Sequence, residues 1–136
     1  MTVRPGHGSV AVLIGAFLLW TAGPAGAGSA RIRPRDGFGS GRRDESAAAL
    51  GAAIAAEKLE TVILLGDLNG TLDDRGLAPV TSRMTPAVAG AGFSWPAAFP
   101  LARIDHIMTR TATPVTIWTL PATGSDHLPI AARIKL

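Results

Sequence analysis

Three short polar stretches concentrate the side chains capable of acid–base work: Gly66-Asp67-Leu68-Asn69, Arg103-Ile104-Asp105-His106-Ile107 and Gly124-Ser125-Asp126-His127-Leu128-Pro129. Together they offer three carboxylates, an amide and two imidazoles. Such a set suits hydrolysis: a carboxylate to orient and deprotonate water, an imidazole to donate or accept a proton, and oxygen ligands for a hard divalent cation. Cysteine and tyrosine are absent. That excludes thiol nucleophiles, thiolate zinc centres, disulfide frameworks and phenolic acids. Taken singly, each stretch also reads as ordinary structure. Asp67 and Asn69 before Gly70 are turn formers, Asp105 is a strand residue beside Arg103, and Asp126-His127 are loop residues.

The elements that must position these groups follow from hydropathy. Thr61–Leu65 (TVILL) is a continuous apolar run of strand formers, as expected of a central strand covered on both faces. It delivers Asp67 at its end. Ala102–Met108 and Val115–Leu120 are two further strands. In Ile130–Leu136, Ile130, Ala132 and Ile134 face one way and Arg133 and Lys135 the other. Alternation along the second strand sets His106 on the face opposite Asp105, where core packing is its expected role. Residues 46–59 are alanine-rich with Ala47, Leu50 and Ile54 at helical spacing, so a helix precedes the central strand. Residues 71–100 are loop-like, with one short helical turn expected near Thr85–Ala89.

The N-terminal third has a different character. Val10–Trp20 is an unbroken apolar run after Arg4, and Ala25-Gly26-Ala27 and Gly28-Ser29-Ala30 are small-residue sites that a signal peptidase accepts. Residues 1–30 are therefore expected to be a signal peptide or membrane anchor, with membrane association through residues 10–27 and an exported protein. Residues 31–45, rich in Arg, Gly and Pro, are expected to be a basic flexible linker. The net charge of +3 sits entirely in residues 1–45, where six arginines oppose three acids. Residues 46–136 carry seven basic and seven acidic side chains, so basicity gives little support for nucleic-acid binding by the folding unit.

In their order, GDLN, RIDHI and SDHLP followed by a final strand, the three stretches resemble the endonuclease/exonuclease/phosphatase (DNase I-like) superfamily. The resemblance covers roughly residues 46–136, and its most specific part is the GSDHLPI ending. It implies an α+β fold: the C-terminal half, with mixed strands, of a four-layer α/β/β/α sandwich. It implies Mg²⁺, or Mn²⁺ as substitute, and a phosphate-ester substrate hydrolysed by activated water. Asp67 would then orient or deprotonate the water, and Asn69 would hydrogen-bond a phosphate oxygen. His127 would act at the scissile phosphate, Asp105 would hold its imidazole in one tautomer, and Asp126 would lie at the metal. The family's earlier Glu metal ligand has no counterpart here, since Glu45, Glu57 and Glu60 flank or occupy the helix before GDLN. A truncated enzyme is the expectation, and its competitor is a non-catalytic binding module of the same fold.

Overall fold

A computed structural model describes residues 10–14, 18–22 and 40–136. Two strands, β1 (Val10–Ile14) and β2 (Leu18–Ala22), precede helix α1 (Ser40–Ala56) and strand β3 (Thr61–Asp67). A 3₁₀ turn (Arg75–Leu77) runs into the short helix α2 (Ala78–Thr81), and a two-residue strand β4 (Thr85–Pro86) follows. Strands β5 (Asp105–Arg110), β6 (Thr113–Thr119) and β7 (Ile130–Lys135) complete the chain. Five strands form one sheet in the order β2-β1-β3-β5-β4, in which β1 runs parallel to β3 and the other pairs are antiparallel. Strands β6 and β7 form a second, antiparallel sheet.

Each face of the large sheet has its own apolar cluster. On one face Val62, Leu64 and Met108 pack against Ala47, Leu50 and Ile54 of α1 and against Leu77 and Val80. Spacing of three and four residues puts the α1 side chains on one stripe, and all three are at most 3% exposed. On the other face Leu65 and Ile107 meet Ile117 of β6 and Ile130, Ala132 and Ile134 of β7. The described layers are thus helix, mixed sheet and second sheet, in keeping with a partial α/β/β/α sandwich. The alternation expected of the last strand holds, with Arg133 and Lys135 exposed.

Helix α1 ends without a basic residue in its last turn. Arg110, reaching over from β5, supplies the missing charge: its guanidinium donates to the carbonyls of Ile54 (2.8 Å), Glu57 (2.9 Å) and Leu59 (2.6 Å). Carbonyls left free at a helix end are satisfied in this way, and the positive charge suits the helix dipole.

The structure adds strands to the N-terminal apolar run and departs from the sequence reading in two places. The apolar run expected as a signal peptide core or membrane anchor contains β1 and β2, with β1 paired in register along Thr61–Leu65. An apolar run without period satisfies a buried strand as well as a targeting segment, so pattern alone does not separate them. No helix among the described residues is long and apolar enough to cross a membrane. His7, the small-residue sites at 25–30 and residues 31–39 of the expected linker lie outside the described residues. Residues 40–45 of that linker are helical, and Arg43 there pairs with Asp74 (2.8 Å). The helical turn expected at Thr85–Ala89 lies earlier, at 75–81, where Asp74 caps the 3₁₀ turn by accepting from the Gly76 N–H and Pro79 sits in the first turn of α2. Residues 85–86 pair with β5 instead.

Candidate active site

Strands β3 and β5 pair so that Asp67 stands directly opposite Asp105. Cross-strand partners share a face, here the one turned toward β6 and β7. Gly124–Pro129, just before β7, brings His127 over that pair. Its Nδ1 lies 2.7 Å from Asp105 Oδ2, and its Nε2 lies 4.0 Å from Asp67 Oδ2. Ser94 Oγ, fully buried, donates to the same Asp105 oxygen at 2.5 Å. A carboxylate oxygen receiving two partners accepts from both, so Nδ1 carries its proton and Nε2 turns toward Asp67.

The loop is pinned by backbone as well. Leu128 N–H donates to Ser94 carbonyl (2.7 Å), and Ala97 N–H donates to Asp126 carbonyl (2.7 Å). Ser94 therefore fixes both the Asp105 carboxylate and the chain beside His127.

Beyond Asp67 the chain turns sharply. Asp67 Oδ1 accepts the Asn69 N–H at 2.7 Å, and Asn69 takes φ 51°, a left-handed conformation that Asn tolerates better than most residues. The Asn69 side chain is exposed.

Electrostatics act on Asp67 and set the two imidazoles apart. Burial pushes the Asp67 carboxyl above its ordinary value, and the facing Asp105 adds to the rise; the Asn69 N–H opposes without cancelling it. For His127, burial alone works against the charged ring. The hydrogen bond to Asp105 and the charges of Asp105, Asp67 and Asp126 outweigh it, and its pKa stands above the ordinary value. Burial pulls His106 the other way, below its ordinary value, although the Gly70 carbonyl opposes this.

Asp67, Asp105 and His127 thus converge, with one ligand-capable atom of each within 4.8 Å of the others. Asn69 joins them through its backbone. Asp126 does not enter the cluster: its carboxylate is exposed, and it acts on His127 through charge. Ser94 was not among the expected site residues. It lies in Gly92-Phe93-Ser94-Trp95-Pro96, where nothing marks a buried hydroxyl as a partner for a carboxylate eleven residues away. His106 is buried as expected, yet its Nε2 also lies 2.8 Å from the Gly70 carbonyl.

A family model described as the Endonuclease/Exonuclease/phosphatase family matches residues 3–127. The chain belongs to that family. None of the curated proteins compared with it matches. Among solved structures, an endonuclease/exonuclease/phosphatase from Bacteroides vulgatus is similar with a TM-score of 0.61 at 18% identity, over 88% of this chain and 54% of that one. D. rerio TDP2, complexed with a single-strand DNA product, gives 0.60 at 16% identity over 88% and 61%. A mannosyl-6-phosphatase from Bacteroides thetaiotaomicron VPI-5482 gives 0.54 at 21% identity over 74% and 48%. The likeness is one of fold, and this chain spans about half the length of the structures it matches. The family match begins well before residue 46 and takes in the segment that holds β1 and β2.

Proposed function

We propose that this family member is a phosphoester hydrolase domain that works with a divalent cation, Mg²⁺ or Mn²⁺. The observation carrying the reading is the placement of His127, bonded to Asp105 by Nδ1 with Nε2 turned toward Asp67 at 4.0 Å. Asp105 holds the ring by Nδ1, so Nε2 is free to act. Protonated, Nε2 donates a hydrogen bond or a proton to an oxygen of the phosphate; neutral, it accepts one. Asp67 is the base. Its raised pKa makes it a better proton acceptor than an ordinary carboxylate, and the Asn69 N–H on Oδ1 leaves Oδ2 to face the incoming water. The Asn69 amide, at the surface beyond the turn, is the donor for a phosphate oxygen.

The donor set fits a hard cation, since Mg²⁺ takes oxygen ligands and is held by one or two carboxylates with water and substrate completing the shell. Asp105 would hold it through Oδ1, since its Oδ2 accepts from Ser94 and His127, and Asp67 stays the base; Asp126, expected as the ligand, stands outside the cluster. When bound, the cation neutralises charge on the phosphoryl oxygens. A cavity of about 280 Å³ lined by Thr71, Asp73, Phe93, Leu101 and Arg103 adjoins Asn69, Ser94 and Asp105 in the chain, and we infer that it takes the group esterified to phosphate. The mannosyl-6-phosphatase and the DNA-product complex among the structural neighbours share one feature, a phosphate ester.

Release of p-nitrophenol from bis-(p-nitrophenyl) phosphate and from the monoester tests the reading. With Mg²⁺, the wild type is expected to release product, and EDTA and His127→Ala each to abolish it. Equal release by wild type and His127→Ala would leave a binding module of the same fold.

A further inference from the structure

The turn that carries Asn69 is gripped from two elements that the proposed chemistry does not use. His106 sits on β5 beside Asp105 but on the opposite, helix-facing side, 2% exposed. There its Nε2 lies 2.8 Å from the Gly70 carbonyl oxygen, which requires the ring to donate. Arg43 comes from α1. Its Nη1 donates to the Asn69 carbonyl at 3.3 Å, while Nη2 is held by Asp74 at 2.8 Å and lies 3.5 Å from Asp44. Asp74 is itself fixed by the Gly76 N–H on its other oxygen.

Two successive carbonyls, those of residues 69 and 70, are thus held from different sides, and the N–H of residue 69 is held by Asp67. Between these grips Asn69 occupies its left-handed conformation. For a residue other than glycine such a conformation persists only where its surroundings over-determine it.

We propose that His106 and Arg43 are positioning residues forming a two-point clamp that fixes the backbone of Asn69 and so aims its amide. The proposal rests on the hydrolase reading for its catalytic consequence, but the clamp itself is a statement about backbone order. One strand then serves both sides of the site. Asp105 orients the imidazole of His127 on one face, and its neighbour His106 orients the turn on the other.

The test uses the full chain with His106→Phe, His106→Gln and Arg43→Met. Phe fills the volume without a donor, Gln restores an N–H, and Arg43→Met removes the guanidinium of a partly exposed residue outside both apolar clusters while keeping an unbranched chain. Amide hydrogen exchange is read at Asn69, with Leu68 as internal reference because its N–H bonds the Ile104 carbonyl at 2.9 Å. Exchange at Asn69 is expected to quicken against Leu68 in His106→Phe and Arg43→Met, and to return toward wild type in His106→Gln. Steady-state hydrolysis is expected to fall about tenfold in kcat for His106→Phe, the scale of an outer-shell partner, with KM little changed and His106→Gln recovering most of it. Unchanged exchange at Asn69 in both donor-lacking variants overturns the clamp, as does a His106→Gln that behaves like His106→Phe. If the wild type releases no product, the hydrolase reading fails and exchange alone decides the clamp.

Discussion

Asp67 is under two opposing demands. As a base it gains from a raised pKa, yet the burial and facing Asp105 that raise it make its ionised form a burden on the fold. A group whose folded pKa lies above its unfolded value binds protons more tightly in the native state, so it contributes stability below the unfolded value and loses it as pH rises through the folded one. For Asp67 that window opens at 3.8 and extends upward. His127 has the same sign in a separate window, from 6.5 upward, because Asp105, Asp67 and Asp126 favour its charged form. Thermal unfolding followed from pH 4 to 9 is therefore expected to carry two falls in midpoint, the first set against a rise from buried His106, whose lowered pKa has the opposite sign below 6.5. Asp67→Asn is expected to flatten the first, and at pH 7 to melt a few degrees above wild type while losing hydrolysis. His127→Ala is expected to flatten the second. A variant at Asp67 that melts below wild type at pH 7 would contradict the burden assigned to its charge.

Helix α1 owes its place to a close approach. A Cβ on Gly51 would sit 2.5 Å from the Pro79 carbonyl oxygen in α2, whereas one on Gly41 would meet nothing within 4 Å. Replacing a helical glycine by alanine in open space gains up to about 1 kcal/mol. At Gly51 the backbone of α2 must give way instead, at a cost of about 1–3 kcal/mol. In urea, Gly51→Ala is expected to unfold at lower concentration than wild type and Gly41→Ala at equal or higher concentration; equal gains in both would deny the contact. Elements of this kind were only partly legible in the sequence. The strands at 61–67, 105–110, 113–119 and 130–135 lie close to where apolar runs and alternation set them, because a half-buried or fully buried strand writes its environment into its side chains. The start of α1 did not, since residues 40–45 carry no apolar residue to give a helical period. Strands β1 and β2 did not either: Val10–Trp20 carries apolarity without period, and a strand and a signal core need the same residues.

At the scale of the molecule, the site is a seam. Asp67 and Asp105 belong to the five-stranded sheet and His127 to the loop leading into β7 of the second sheet, so their separation is set by what lies between the sheets. That filling is the cluster of Leu65, Ile107, Ile117, Ile130, Ala132 and Ile134, with Ile117 fully buried at its centre. The convergence was legible only as an order of motifs; no local signal encodes which faces meet, and Ser94, the hydroxyl that closes the seam on Asp105, left none. Ile117→Ala is expected to cost about 2–5 kcal/mol, as buried truncations do. Ile54→Ala, equally buried but in the cluster on the helix side, has a cost of the same class and is the control. If the second cluster sets the spacing of His127 from the two carboxylates, the variants part in activity. Measured well below both unfolding midpoints, where circular dichroism reports folded protein, Ile117→Ala is expected to lose about tenfold or more in kcat, since small misplacements of reacting groups are costly. Ile54→Ala is expected to keep kcat within about twofold, because the sheet it packs on carries Asp67 and Asp105 together. Equal losses in both would mean that activity follows stability alone, and that the sheets need no particular spacing to bring the imidazole to its acids.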